Sequence, residues 1–200
     1  MAKQIHTIIY VTGLGDSKAR FQKKAVSSWR IFSVQPLFFQ TKWADAKPFS
    51  EKLDRLLGLI DDSNKRGHKV SLVGVSAGAS MALSAFSLRK ETINGVVCIC
   101  GKINRPEAVG APYFIENPAF HQAIFGLRQH MDKLGSKDRG RILSISPLFD
   151  ETVAVKDTKI VGAKNVTSPT LFHIPSIGLV ISLFSFYPIN FLKRLKSRVE

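Results

Sequence analysis

The stretch that most constrains the fold of this chain is residues 70–88, where a strand-like segment runs into a helix-like one. It begins as a largely apolar run, Val70-Ser-Leu-Val73, which predicts a buried strand. It then passes through Gly74-Val-Ser-Ala-Gly78 into small residues that predict a helix over 79–88. Glycine at both ends of this turn indicates that the turn is tight, because a side chain there would collide with the neighbouring strand or helix.

Gly-x-Ser-x-Gly between a strand and a helix is the setting of a nucleophile elbow, a sharp turn that exposes a serine hydroxyl. Ser76 would stand at the N-terminus of the helix, where backbone N–H groups and the helix dipole favour developing negative charge. The sequence therefore predicts Ser76 as a nucleophile. The alternative is an ordinary serine in a glycine-rich turn.

The rest of the chain alternates strand-like and helix-like segments. The predicted strands are 5–11, 31–39, 70–73, 95–100, 141–146 and 168–175. This order predicts an α/β fold with a mostly parallel sheet of about six strands and helices on both faces. Pro36 indicates an edge position for its strand, and Asp16 or Ser17 is predicted to cap the first helix.

The alternation continues over residues 1–200 without a linker, so we expect a single domain. It is interrupted over 102–138, where Asn117-Pro118 begins a predicted helix with an apolar face. We interpret this segment in two ways. It is either a short helical cap insertion that walls a pocket over the carboxyl ends of the strands, or simply a longer crossover helix.

The composition restricts the partners and the compartment. The chain has 200 residues, a formal net charge of +14 and 44% hydrophobic residues. The charge allows an anionic membrane surface as a partner, whereas the absence of any RNA-binding or zinc-finger signature disfavours nucleic acid. Cys98 and Cys100 are predicted to lie on one face of a buried strand as small hydrophobic residues, with no disulfide and no metal site.

The N-terminal residues lead straight into a strand without the apolar segment of a signal peptide. Together with the two unpaired cysteines this favours a reducing compartment, so we expect a cytoplasmic protein, with peripheral membrane contact as an addition.

The elbow, the loop after Val11 and the loop after Ser146 together resemble the α/β-hydrolase superfamily, in a small version that lacks the first two strands. The resemblance covers nearly the whole chain. It implies a serine hydrolase that acts on an ester or other acyl bond of a small-molecule substrate, without a cofactor, and with catalytic residues in the order Ser, Asp, His.

The resemblance also implies roles for further residues. Asp150 stands where the family acid is expected, and Asp150-Glu-Thr-Val153 is similar to the common Asp-x-x-Val form of that loop. Glu151 and Asp157 are lesser candidates for the acid. The backbone N–H groups of Leu14 and Ala77 would form the oxyanion hole, for which side-chain identity matters little.

The general base departs from the family pattern. Family members usually carry Gly-His after the last strand, but here Gly178 is followed by Leu179, which cannot transfer a proton. His173, predicted on the last strand, is the best candidate, and His121 and His130 on the interrupted segment are alternatives. Leu179 favours a second hypothesis, a catalytically impaired or inactive hydrolase-fold protein that binds a ligand or partner.

The C-terminal part of the chain allows two interpretations. No Asp, Glu, Lys or Arg occurs over 165–192, and basic residues follow over 193–198. The longest stretch without proline, 176–187, is too short to span a bilayer. It is either an interfacial helix anchored to an anionic membrane by the basic residues, or a helix that covers the sheet.

Overall fold

Six parallel strands form one sheet in a computed structural model that describes residues 4–195. The strands are β1 (His6–Val11), β2 (Gln35–Phe39), β3 (Lys69–Val75), β4 (Ile93–Ile99), β5 (Ile142–Ser146) and β6 (Lys164–Thr167). Their order across the sheet is β2-β1-β3-β4-β5-β6, and all neighbours are parallel. The predicted fold class is confirmed, and the strand with Pro36 lies at an edge as expected.

Eight α-helices lie within the described residues and cover both faces of this sheet. They are α1 (Arg20–Ser27), α2 (Phe49–Lys65), α3 (Gly78–Leu88), α4 (Ala111–Glu116), α5 (Pro118–Asp132), α6 (Ser136–Arg139), α7 (His173–Ile181) and α8 (Phe186–Arg194). One core lies between the sheet and α2, α3 and α5, and the other between the sheet and α1, α7 and α8. Strands buried on both faces explain the near-continuous apolar runs in the sequence.

The interrupted segment divides into two parts with different packing. Helix α5 is the crossover between β4 and β5, and it buries Phe120, Ile124 and Leu127 in the core beside α3. The part before it, a 3₁₀ turn at Pro106–Ala108 followed by α4, buries none of its residues fully.

The last predicted strand, 168–175, is wrong. The sixth strand is β6, which ends at Thr167, and His173 is the first residue of α7. β6 is an edge strand with exposed Lys164 and Asn165, so it lacks the apolar pattern that marks buried strands. Pro175 is compatible with α7 because it lies in the first turn, where a backbone N–H has no partner within the helix.

Two smaller predictions are also wrong. Cys98 and Cys100 are buried and free, but they face opposite cores, because Cys100 lies beyond the end of β4 with a positive φ of 50°. Asp16 caps no helix. Its carboxylate instead accepts hydrogen bonds from Thr12 Oγ1 at 3.0 Å and from the backbone N–H of Lys42 at 2.6 Å.

The C-terminal helices lie against the sheet. Their buried side chains, Ile177, Val180, Ile181, Ile189 and Leu192, belong to one of the two cores. Among the described residues no single helix has the length and apolarity to cross a membrane; only α7 and α8 taken together do, and they are bent by 59°. Of the basic residues at 193–198, those at 196–198 lie outside the described residues.

Helix α3 comes closest to the sheet at the two elbow glycines. A Cβ atom on Gly74 would lie 2.5 Å from the carbonyl oxygen of Gly78, and one on Gly78 would lie 2.4 Å from the carbonyl oxygen of Val11. Both clashes are with backbone, which cannot rotate away. Helix α3 and the loop that follows β1 at Val11, called the first loop below, can therefore hold their positions only with glycine at these sites.

We therefore expect Gly78→Ala to lower the free energy of unfolding by about 3 kcal/mol, as forced overpacking against backbone does. Gly58→Ala is the matched control. Gly58 is exposed in the middle of α2 with nothing near its missing Cβ, so alanine there should raise stability by about 0.5–1 kcal/mol. Urea unfolding of both variants measures the difference, and equal stabilities would contradict the close contact.

His6 is buried on β1, where its Nε2 lies 2.9 Å from Ser71 Oγ. Burial, with smaller contributions from Lys69 and Lys193, lowers the pKa of His6 from 6.5 to about 4. Between these values the unfolded chain binds a proton that the folded chain does not, so stability falls as the pH falls from 6.5 towards 4.

This linkage predicts that His6 accounts for about 2 kcal/mol of the stability lost between pH 7.5 and pH 5. His6→Gln keeps a hydrogen-bonding group beside Ser71 but does not titrate. We measure the free energy of unfolding in urea at both pH values. Between pH 7.5 and pH 5 it should fall by about 2 kcal/mol less in this variant than in the wild type. An unchanged difference would mean that His6 is not buried in its neutral form.

Candidate active site

Ser76 lies at the tip of the sharp turn between β3 and α3. Its φ of 49° is in the left-handed region, which is strained for a residue with a side chain and typical of functional turns. The first loop passes directly against it, since a Cβ on Gly13 would lie 2.9 Å from Ser76 Cβ. The local geometry is thus that of a nucleophile elbow, with the serine hydroxyl next to the N-terminus of α3.

Asp150 lies in the loop after β5, and its side chain is completely buried. Oδ1 accepts hydrogen bonds from the backbone N–H groups of Thr152, at 2.9 Å, and Val153, at 2.7 Å. Oδ2 lies 2.8 Å from His173 Nδ1. Burial raises the pKa of the Asp150 carboxyl, but the hydrogen bonds from His173, Val153 and Thr152 outweigh it, and the pKa lies below its ordinary value. The acid is held ionised and oriented.

His173 connects this acid to the serine. Its Nε2 lies 2.9 Å from Ser76 Oγ, while its Nδ1 faces Asp150. With the proton on Nδ1, which the carboxylate favours, Nε2 is free to accept the serine proton. The backbone N–H of His173 also donates to Glu151 Oε2 at 2.9 Å, so a carboxylate holds the start of α7.

Acid and base are brought together by backbone pairing beyond the ends of β5 and β6. The N–H of Leu148 donates to the carbonyl of Thr170, and that of Phe172 donates to the carbonyl of Phe149, both at 2.9 Å. These bonds run the two chain segments side by side up to the positions of Asp150 and His173. The early end of β6 therefore places the histidine at the carboxyl edge of the sheet.

The other histidines lie elsewhere. His121 packs between Phe114 and Phe125, and His130 Nδ1 lies 2.7 Å from Ser87 Oγ. His6 and His68 bond to strand residues at the amino ends of β1 and β3, as their positions in the sequence indicate. All five histidines lie within the described residues, and among them only His173 makes a hydrogen bond with the Ser76 hydroxyl.

Leu179 does not occupy the place of the base. It lies within α7, six residues beyond His173, and is 38% exposed. The family pattern places a histidine at that position only if the last strand continues to Pro175. With that strand ending at Thr167, the residue that follows the loop is His173.

The alternative acids have other partners. The Glu151 carboxylate accepts the backbone N–H of His173, and Asp157 is paired with Lys102 and Arg105. Among the carboxylates of the described residues, only that of Asp150 bonds to the imidazole ring of His173.

Leu14 and Ala77 flank the serine on two different segments, the first loop and the elbow. Within the described residues, neither backbone N–H has a hydrogen-bond acceptor, so both are available. The first loop is held rigidly: Asp16 bonds to Thr12 and Lys42, and Trp43 Nε1 donates to the carbonyl of Thr12 at 2.8 Å. The role of the Leu14 and Ala77 N–H groups as the oxyanion hole stays a prediction.

A pocket of about 410 Å³ opens beside Ser76. Its walls come from the first loop, from the segment before α5 and from the loop after β5 that carries Asp150. They include Leu14, Lys102, Val109, Tyr113, Phe120 and Glu151. Lys102 is buried and paired with Asp157. The pocket has the size and the mixed lining of a site for a small molecule.

Cys100 lies next to the acid and the base. Its Sγ and the ligand atoms of Asp150 and His173 all lie within 4.8 Å of one another, a set of donors that zinc accepts. Burial raises the pKa of the Cys100 thiol, and the negative charges of Asp150 and Glu151 raise it further by a smaller amount. A metal binds the thiolate, but here the thiol is protonated, and Asp150 and His173 are already hydrogen-bonded. The hydrogen-bonded arrangement is therefore favoured over a metal centre.

Sequence reasoning missed several residues that surround Ser76, Asp150 and His173. The Glu151 contact with α7 and the pocket positions of Lys102 and Tyr113 depend on contacts between distant segments. One local signal existed for the helix: Pro175 in the third position of α7 is typical of a first helical turn.

The fold was compared with known proteins. No protein-family model and no curated protein sequence matches the chain. Solved structures do, including Est1E from Butyrivibrio proteoclasticus, with 14% identity, a TM-score of 0.65 and coverage of 94% of this chain and 89% of that one.

Two further structures are similar over nearly their whole length. One is reported for the metagenome-derived lipolytic enzymes LipS and LipT, with 9% identity, a TM-score of 0.68 and coverage of 96% and 94%. The other is a monoacylglycerol lipase from Paleococcus ferrophilus, with 12% identity, a TM-score of 0.61 and coverage of 96% and 97%. The chain has the α/β-hydrolase fold, as the sequence resemblance implied.

The position of the base leads to a prediction about Leu179. We expect Leu179→His to leave ester hydrolysis within about twofold of the wild type, since a surface change away from the reacting groups removes no catalytic contact. His173→Gln should abolish most of it. The rates of both variants on a soluble p-nitrophenyl ester measure this. A large gain in the Leu179 variant would restore the hypothesis of a missing base.

Proposed function

We propose that this protein is a serine hydrolase that cleaves an ester or other acyl bond. The observation that carries the proposal is the continuous set of hydrogen bonds from Asp150 through His173 to Ser76, with separations of 2.8 and 2.9 Å. Nucleophile and base within hydrogen-bond reach, with the base oriented by a buried acid, is the arrangement that nucleophilic catalysis requires.

In the first step, Ser76 Oγ attacks the acyl carbon while His173 Nε2 takes the hydroxyl proton. Asp150 keeps the imidazole in the required tautomer and stabilises its protonated form. The carbonyl oxygen becomes an oxyanion that accepts hydrogen bonds from the N–H groups of Leu14 and Ala77. When the tetrahedral intermediate collapses, the bond to the leaving group breaks and His173 returns its proton to that group.

The second step releases the acyl group from Ser76. Water attacks the acyl-enzyme and gives one proton to His173 Nε2, and the new intermediate expels Ser76 Oγ, which takes that proton back. The net reaction consumes one water and yields an acid and the leaving group. It needs no cofactor.

The similar structures support this proposal only in part. Two of them are described as lipolytic enzymes and as a monoacylglycerol lipase. Because one fold hosts many chemistries, the proposal depends on the site and not on the likeness.

The pocket indicates the class of substrate. Val109, Tyr113 and Phe120 provide an apolar wall beside Ser76, which suits the acyl chain of an ester. A volume of about 410 Å³ accommodates a small acyl group rather than a polymer segment.

The test is covalent labelling of the nucleophile. A fluorophosphonate probe should label the wild type, and Ser76→Ala should eliminate the label and lower kcat on a p-nitrophenyl ester by about 10³-fold or more. Ser84→Ala is the matched control, because Ser84 is buried on α3, the helix that follows Ser76, and its hydroxyl donates to the carbonyl of Ser80. It should retain both labelling and rate.

If folded wild type neither labels nor turns over any ester, the proposal is wrong and the alternative, a hydrolase-fold protein that binds a ligand without catalysis, replaces it. Circular dichroism of each variant provides the check on folding.

A further inference from the structure

One layer of the molecule carries cations and apolar side chains but almost no carboxylates. Residues 17–44 and 158–199 contain no Asp or Glu, although the chain has 15 in total. The fold places these two stretches together, because α1 from the first packs beside α7 from the second. Phe21 Cε1 lies 3.6 Å from a Cβ built on Gly178, and Trp29 Nε1 donates to the carbonyl of Ile181 at 2.8 Å.

Large apolar side chains are exposed where this layer meets the carboxyl edge of the sheet. They are Phe21, Leu148, Phe149, Leu171, Phe172 and Ile174, with exposed fractions between 49% and 70%. Side chains of this size lose contact with water in most folded proteins, and a group of them on one surface is typical of an interaction site.

Backbone contacts hold most of this group together. Phe149 forms a parallel bridge with Leu171, and its ring lies 5.9 Å from that of Phe172. Phe172 has a φ of 66°, a conformation that is strained for a bulky residue, yet its ring is directed to the surface. Ile174 follows on the first turn of α7, the helix that also contacts Phe21.

Exposed cations adjoin the apolar group. Lys18, Arg20 and Lys24 lie on and just before α1, around Phe21, and all three are exposed. Among the described residues none of them forms an ion pair. We call these three cations and the six apolar residues the docking surface.

We propose that the docking surface binds an anionic lipid membrane. Its apolar side chains would enter the boundary between headgroups and acyl chains, while the cations contact the lipid phosphates. A nucleic acid or an acidic protein would match the charge, but neither explains six exposed aliphatic and aromatic side chains beside it. The lipid surface accounts for both features.

The position of the docking surface also indicates a substrate. Phe149 and Phe172 are the residues immediately before Asp150 and His173, so the surface borders the catalytic groups. On a membrane, the protein would face acyl esters carried by lipids. This second part rests on the proposed hydrolase function, whereas membrane binding does not.

The docking surface is not the basic C-terminus that the sequence suggested as an anchor. Asn94 Nδ2 donates to the carbonyl of Leu192, and Lys69 Nζ donates to that of Leu195. These contacts place the end of α8 at the amino ends of β3 and β4. The docking surface lies at the opposite edge of the sheet, with the site.

Vesicle co-sedimentation of the full chain tests the proposal. We expect wild type to bind vesicles of phosphatidylcholine and phosphatidylglycerol in equal parts, weakly at high salt, and not to bind pure phosphatidylcholine. Replacing Lys18, Arg20 and Lys24 by Gln should weaken binding about a hundredfold. Phe21→Ser with Ile174→Ser should also reduce it, but without changing its salt dependence.

Two control variants locate the surface. Three exposed cations lie at the end of α2 and on α6, namely Lys65, Arg66 and Lys137. Changing them to Gln should leave binding within about twofold, apart from the general effect of net charge. Lys193→Gln with Arg194→Gln should behave in the same way. If this C-terminal variant loses binding and the α1 variant keeps it, the proposed surface is wrong.

Further outcomes separate this proposal from the proposed function. Ser76→Ala should bind vesicles like the wild type, so loss of catalysis leaves the binding result readable. All docking variants should hydrolyse a soluble ester at the wild-type rate, which also shows that they are folded. Wild type that ignores anionic vesicles, or that prefers an oligonucleotide to them, would overturn the proposal.

Discussion

The structure depends on a contact of backbone against backbone where α3 meets β1 and β3. Glycine at 74 and 78 removes the two Cβ atoms that would otherwise meet carbonyl oxygens at about 2.5 Å. Because of that approach, Ser76 is forced into the left-handed region and its hydroxyl is presented at the carboxyl edge of the sheet. Gly13 permits the same closeness from the first loop. The position of Ser76 is therefore a result of packing, and the proposed chemistry uses a geometry that the fold already imposes.

A second constraint completes the site from the other side. β6 has only four residues, and the chain after it pairs with the segment after β5 before turning into α7. That pairing aligns Asp150 with His173, and Glu151 holds the backbone N–H at the start of the helix. The same segments carry Phe149 and Phe172 outward. Asp150, His173 and the apolar side chains beside them thus have one structural origin, so the proposed hydrolytic site and the proposed docking surface lie side by side.

Local patterns predicted the fold well and failed where non-local contacts decide. The apolar runs identified five of the six strands, because four of these are buried on both faces and the fifth, β2, is apolar although it is a half-buried edge strand. The pattern does not identify the sixth strand, because β6 is a polar edge strand. It predicts a strand over the apolar residues that follow, 168–175, instead. The two cysteines were placed on one face by alternation, which ends when the strand ends at Ile99. Asp16 was expected to cap a helix, but its carboxylate instead ties the first loop to Thr12 and Lys42.

The sequence by itself determined the α/β order of the elements, the elbow with Ser76 and the loop position of Asp150. Each of these is encoded within a few neighbouring residues, through hydrophobic periodicity and the space that glycine leaves. Only the tertiary structure decided that His173 meets Ser76, since the two are 97 positions apart and the meeting depends on where β6 ends. The same holds for the layer that has few carboxylates. Two stretches of sequence lack acidic residues, but only the packing of α1 against α7 turns them into one surface.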